Sequence, residues 1–287
     1  MYKRSEGFFP GYQDLKIFFQ TWEKSESAGS IIFVHGQGEH SESYHRLVDF
    51  FKNDSWSFYT MDLRGHGRSE GKRGYANHFN DYSRDYEIFV EHLFKAKIKQ
   101  GPVVLLAHSL GGMIQLKFLS ESYSATQYPL IKAQVCSNPL LGVSVAVPVI
   151  KSIGAELLAR FLPKVTLSNE LTNKMLTRDQ EVIKEFEADV LRHGVLSSRV
   201  YLGMKENMAY LLDRADRITL PTLFQLAEKD PVVSTPSAKE YFQRLGSPQK
   251  RILIYGDGAP HEIYNDIIRE QVYQDLKKYL DGIKAGG

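Results

Sequence analysis

Short apolar runs rich in β-branched and aromatic residues alternate along this chain with longer stretches whose apolar positions recur every three or four residues. The first pattern is that of strands covered on both faces and the second that of amphipathic helices. Their alternation predicts an α/β protein built on a mainly parallel sheet with helices on both faces. An early, partly exposed strand is expected over 15–22, and core strands over 30–34 and 57–61 with a helix over 44–52 between them. A long helix follows over 82–97, and then a buried strand, 103–106, which leads into a helix over 113–119. Three more strands fit 131–137, 222–227 and 251–255, and a helix over 264–284 closes the chain.

The segment 139–219 breaks this rhythm with apolar helical pieces separated by polar turns. Ordinary crossovers use loops of about 2–6 residues around one helix, so this segment is too long to be one. It reads as an inserted helical cap over a core made of 1–138 and 220–287, with a plain extra helical layer as the competing reading. Its opening, with Leu140, Leu141, Val143, Val145, Val147, Val149 and Ile150, carries more apolar surface than a solvent-facing loop needs. Some of that surface must pack on the core, and the surplus is left to face a ligand, which makes Leu141, Val143 and Val145 candidate substrate contacts.

Composition narrows the class without fixing it. A length of 287 residues with 43% hydrophobic and 24% charged residues is ordinary for a globular protein, and a net charge of +2 offers no argument for nucleic acid. The single cysteine, Cys136, lies in an expected core strand and reads as a buried, inert thiol in a reducing compartment. The N-terminus lacks a secretory apolar stretch, and no apolar run approaches the ~18 residues of a spanning helix. A cytoplasmic protein, in peripheral contact with the inner membrane surface at most, is therefore expected.

Chemistry concentrates where the 103–106 strand runs out. Ala107-His108-Ser109-Leu110-Gly111 joins that strand to a helix, the setting in which a sharp turn lifts a nucleophilic hydroxyl above the sheet. The usual pattern is G-x-S-x-G, and Ala107 replaces its first glycine. Small residues at such a turn also serve packing alone, so Ser109 needs partners. A serine hydroxyl requires a base, and the base an orienting acid, which in this arrangement follow in the order serine, acid, histidine. Asp230 follows the 222–227 strand and His261 the 251–255 strand, both at carboxyl ends, where open α/β sheets place their sites. Asp257 shares a loop with His261 and reads as a turn residue. His35-Gly36-Gln37-Gly38 follows another core strand, so the backbone N–H groups of Gln37 and Leu110 are the expected oxyanion donors. His35 reads as a loop brace, and His108 as too close to Ser109 along the strand to share its face. His261-Glu262-Ile263-Tyr264-Asn265 falls one residue short of a zinc H-E-x-x-H, so no metal or other cofactor is expected.

Three stretches together are more specific: His35-Gly36-Gln37-Gly38-Glu39-His40-Ser41 with Tyr44, Asp62-Leu63-Arg64-Gly65-His66-Gly67-Arg68-Ser69-Glu70-Gly71, and the Ser109 turn. They resemble the monoacylglycerol lipase and lysophospholipase branch of the α/β-hydrolases. The resemblance implies a serine esterase acting on single-chain acyl glycerols or lysophospholipids, with the cap gating an acyl tunnel. A general carboxylesterase or a proline iminopeptidase-like amidase is the alternative.

Overall fold

In the computed structural model, backbone is described over 1–144 and 149–285, and side chains over 1–144 and 154–284. The chain runs through β1 (Lys3–Pro10), β2 (Lys16–Glu23), β3 (Gly29–Val34), α1 (His45–Phe50), β4 (Trp56–Met61), α2 (Asn80–Ala96), β5 (Val103–His108), α3 (Ser109–Glu121) and β6 (Ile131–Ser137). The insertion adds α4 (Val149–Phe161), β7 (Thr166–Ser168), α5 (Asn173–Leu176), α6 (Gln180–Ala188), β8 (Val195–Ser197) and α7 (Ser198–Leu212). The chain ends with β9 (Thr222–Ala227), α8 (Thr235–Arg244), β10 (Lys250–Tyr255) and α9 (Arg269–Ala285).

One sheet has the strand order β1-β2-β4-β3-β5-β6-β9-β10. Only β2 runs against the others, since it pairs antiparallel with both β1 and β4. Alternate side chains of one strand enter different cores, as the pleat requires. Ile32 and Val34 of β3 join Leu105 and Ala107 of β5 in a core covered by α2, α3 and α7, whereas Ile31, Phe33, Val104 and Leu106 meet α1 and α9 on the other face. Helix α1, after β3, therefore lies on one face, and α3, after the adjacent β5, lies on the other. Connections leaving two neighbouring strands in opposite directions open a crevice at their carboxyl ends. The Gly36 loop and Ser109 border that crevice.

The expected core strands all form, but three details differ from the sequence pattern. β1 occupies residues that read as a polar terminus, because an edge strand leaves alternate residues in solvent and shows a weak apolar signal. The last helix begins at Arg269 rather than at 264, because Ile263 and Tyr264 are buried in the preceding loop. Helix α8, capped by the Ser234 side chain and opened by Pro236, lies outside the elements that the apolar pattern predicts, because its sequence is mostly polar.

The insertion is not a detached layer. Val200, Met204 and Leu211 of α7 are part of the main core, and a Cβ on Gly203 would lie 2.7 Å from Phe79 Cβ. The outer part, by contrast, leaves Leu157, Phe161, Leu162 and Leu167 each more than half exposed, at 56%, 68%, 55% and 52%. Among the described residues, no helix is long and apolar enough to cross a membrane.

Candidate active site

Ser109 holds a left-handed backbone (φ 51°), a conformation that costs a residue with a Cβ energy and marks a turn held in place by its surroundings. Two glycines make room for it. A Cβ on Gly111 would come within 2.5 Å of the carbonyl oxygens of Val34 and His35, and one on Gly36 within 2.9 Å of Ser109 Cβ. Helix α3 and the loop after β3 can therefore press directly against each other. The backbone N–H groups of Gln37 and Leu110 border this contact and have no acceptor among the described residues. That of Leu110 is one of the unpaired donors that every helix N-terminus carries.

The three residues singled out as a relay meet. Ser109 Oγ lies 2.8 Å from His261 Nε2, and Asp230 Oδ2 lies 2.7 Å from His261 Nδ1. All three are buried. The second oxygen of Asp230 accepts N–H bonds from Val232 (2.7 Å) and Val233 (3.0 Å), so the carboxylate cannot turn. Burial favours its neutral form, but the adjoining His261 and these N–H groups outweigh burial and hold it below the usual carboxylate range. Burial likewise opposes a charged His261, yet Asp230 prevails and raises the imidazole above its ordinary value. Asp257 stays exposed in a turn (φ 54°), where its backbone carbonyl accepts from Arg178.

Other expected residues take plainer places. His35 accepts the Leu63 N–H at Nε2 and bonds the Gly36 carbonyl through Nδ1, which is the bracing role expected of it. Asp62 clips two loops by accepting from the N–H groups of Ser41 and Arg68. Leu141 is buried and borders a small cavity with Met208, Leu212 and Tyr241, while Val143 is 46% exposed and bridges to Val233. Val145 lies outside the described residues. Cys136 is a buried free thiol. Glu262 is engaged by Arg192 and Asn265.

Sequence reasoning missed several neighbours of the relay. His108 does approach the site: its ring centroid lies 4.6 Å from that of His261, and burial followed by the charge of His261 lowers it to about 3. Asn138, also left-handed (φ 41°), donates to the His261 carbonyl at 2.7 Å and accepts the Ala227 N–H at 2.8 Å. One amide thus ties together the loops that carry His261 and Asp230. The insertion reaches the same loops. Ser144 Oγ bonds the Asp230 carbonyl, Leu140 N–H the Ser109 carbonyl, and the N–H groups of His261 and Glu262 donate to Met175 and Leu176. A lone asparagine at the end of a strand carries no periodic signal, so nothing in the sequence alone marks Asn138.

An acid, an imidazole and a hydroxyl thus stand in hydrogen-bonded series, beside two N–H donors that have no acceptor among the described residues. Residues 25–267 match the family described as serine aminopeptidase, S33, and the chain belongs to this family of hydrolases. It is similar to a monoacylglycerol lipase of Mycolicibacterium smegmatis, 27% identical over 96% of this chain and 97% of the relative. A phospholipase of Bacillus subtilis is 24% identical over 91% of this chain and 98% of its own length. The crystal structure of the Paleococcus ferrophilus monoacylglycerol lipase superposes with a TM-score of 0.80 at 25% identity, covering 99% of each chain. The fold is that of the α/β-hydrolases, and the kinship read from the sequence, with the monoacylglycerol lipase and lysophospholipase branch, is borne out by these monoacylglycerol lipases and the phospholipase.

Proposed function

We propose that this enzyme cleaves carboxylic esters of single-chain lipids, of the monoacylglycerol lipase or lysophospholipase type, through an acyl-enzyme on Ser109. The observation that carries the reading is the buried relay of 2.8 Å and 2.7 Å contacts from Ser109 through His261 to Asp230. His261 Nε2 takes the Ser109 proton as Oγ attacks the ester carbonyl. The oxyanion then forms against the N–H groups of Gln37 and Leu110, which are fixed before the charge develops. Collapse expels the alcohol with the proton from His261, and water reverses the sequence to release the fatty acid. No step calls for a metal or other cofactor.

The insertion 139–219 acts in this reading as a cap. The acyl chain runs past Leu141 and Val143 at its opening. The head group faces a cavity of about 290 Å³ beside Gln37 and Gly38, whose walls include Asn169, Asn173 and His193, polar groups suited to hydroxyls. Each buried methylene is worth about 0.8 kcal/mol, so kcat/KM on monoacyl esters should rise steeply from short to medium or long chains. A panel of monoacylglycerols, lysophospholipids, acetyl esters and aminoacyl amides tests this. Preference for acetyl esters or aminoacyl amides would replace the lipase reading with a general esterase or with the aminopeptidase activity that the family description names.

The exposed apolar side chains on the outer cap support contact with a lipid surface. Phe161 and Leu162 lie beside the cations Arg160 and Lys164, a combination that favours anionic membranes. Replacing both Phe161 and Leu162 by serine should lower turnover of vesicle-borne monoacylglycerol on the order of tenfold and leave a short soluble ester unaffected. Equal turnover of vesicle-borne substrate by variant and parent would remove this role.

A further inference from the structure

Arg192 lies in the insertion between α6 and β8, far in sequence from the relay, yet its side chain ends against the His261 loop. Its Nη2 donates to Glu262 Oε1 at 2.6 Å, and the two side chains are only 10% and 5% exposed. Nη1 reaches Ser43 Oγ at 3.4 Å, and the guanidinium covers the Phe186 ring at 3.6 Å. Glu262 directly follows His261 and cannot drift, because Asn265 Nδ2 holds its other oxygen at 2.9 Å and its N–H is bonded to Leu176.

We propose that Arg192 is a positioning residue that sets the proton affinity of the His261 imidazole by neutralising Glu262.

Among the described residues, four ionisable groups face His261 from the packed elements: Asp230 after β9, Glu262 on its own loop, Glu39 after β3 and His108 at the end of β5. Three are carboxyls. His108 supplies no balancing charge, since burial keeps its ring neutral. Glu39 accepts from the Gly36 N–H and the Tyr44 hydroxyl through one oxygen, and its other oxygen has no partner among the described residues. Burial and then the charge of Glu262 push Glu39 up, whereas Arg192 leads the groups that outweigh burial at Glu262 and hold it below the usual carboxylate range, so of the two carboxyls Glu262 is the one that favours the charged form. Arg192 in turn faces Glu262, Glu39 and Asp189, and Asp189 is already bonded to His40 at 2.6 Å. Glu262 and Arg192 thus form the charge pair that flanks the imidazole.

A bare carboxylate beside an imidazole stabilises the imidazolium, and a paired one does so far less. The base must be neutral to take a proton from Ser109, so an excessive rise in its proton affinity moves the working range upward. Placing the compensating cation on the insertion makes full activity of the relay depend on the insertion being docked.

The test is a double-mutant cycle read as the acid limb of the kcat/KM–pH profile on a short soluble ester. Arg192→Met should move the limb up by about 0.5–1 pH unit, and Glu262→Gln, which keeps a bond to Asn265, should move it down by a similar amount. The double variant should return it close to the parent position, and Arg192→Lys should barely move it. Lower kcat with an unmoved limb in every variant would make Arg192 a merely structural residue. Should Arg192→Met fail to fold, as loss of one partner of a buried pair can cause, the Glu262→Gln profile decides, and an unmoved limb there overturns the proposal. The inference rests on His261 as the base. Full activity in His261→Gln would remove that reading itself, whereas loss of activity in His261→Gln together with an unmoved limb in the Arg192 and Glu262 variants removes only the role of Arg192.

Discussion

Replacing Ser109 by alanine is expected to lower kcat by a factor on the order of 10⁴ or more while the folded structure persists. The attacking oxygen disappears, and water must reach the carbonyl unaided by a covalent step. The oxyanion donors and the binding surfaces survive, so some residual catalysis remains. Stability should change little, because alanine keeps the Cβ and the left-handed backbone at φ 51°. Ser109→Gly separates the two roles of this position. It should be as inactive as the alanine variant yet no less stable, because glycine adopts that conformation without strain. Steady-state kinetics on a monoacyl ester, paired with thermal unfolding, checks both statements. Activity within tenfold of the parent in Ser109→Ala would place the nucleophile elsewhere.

Asp230→Asn should be almost as damaging, with a kcat loss of about 10³–10⁴, for a reason the local bonds make specific. One carboxylate oxygen accepts the N–H groups of Val232 and Val233, so the amide oxygen of asparagine must take that place. Its NH₂ group then points at His261 Nδ1 and forces that nitrogen to accept. The ring proton moves to Nε2, the atom that has to accept from Ser109, and the base is held in the wrong tautomer. Asp257→Asn should cost little, since Asp257 is exposed and touches Arg178 only through its backbone. The reverse pattern would transfer the acid's role to Asp257.

Much of this arrangement is written locally. β3, β5, β6 and β9 are almost wholly buried, so their apolar runs are continuous and easily recognised. The relay residues are equally legible, because Ser109 and Asp230 follow two of these buried strands and His261 follows the more exposed edge strand β10, and the fold brings those carboxyl ends together. What the sequence conceals depends on contacts between distant segments. β1 is an edge strand with a broken apolar pattern. Asn138 matters through two bonds to loops 89 and 123 positions away. Nothing in the sequence links Glu39, Glu262 and Arg192 until the fold brings them together and buries the two carboxyls. Strand alternation alone keeps His108 off the Ser109 face, and alternation does not show that the distant loop after β10 folds His261 back over it.

The claim on which the rest stands is that Ser109 is acylated by lipid esters. Incubation with a long-chain, serine-directed phosphonate followed by peptide mass mapping tests it most directly. The expected result is a single adduct on Ser109, formed by the parent enzyme, absent from Ser109→Ala, and suppressed when a monoacylglycerol competes. An adduct on any other residue, or labelling of Ser109→Ala at the parent rate, would contradict the account.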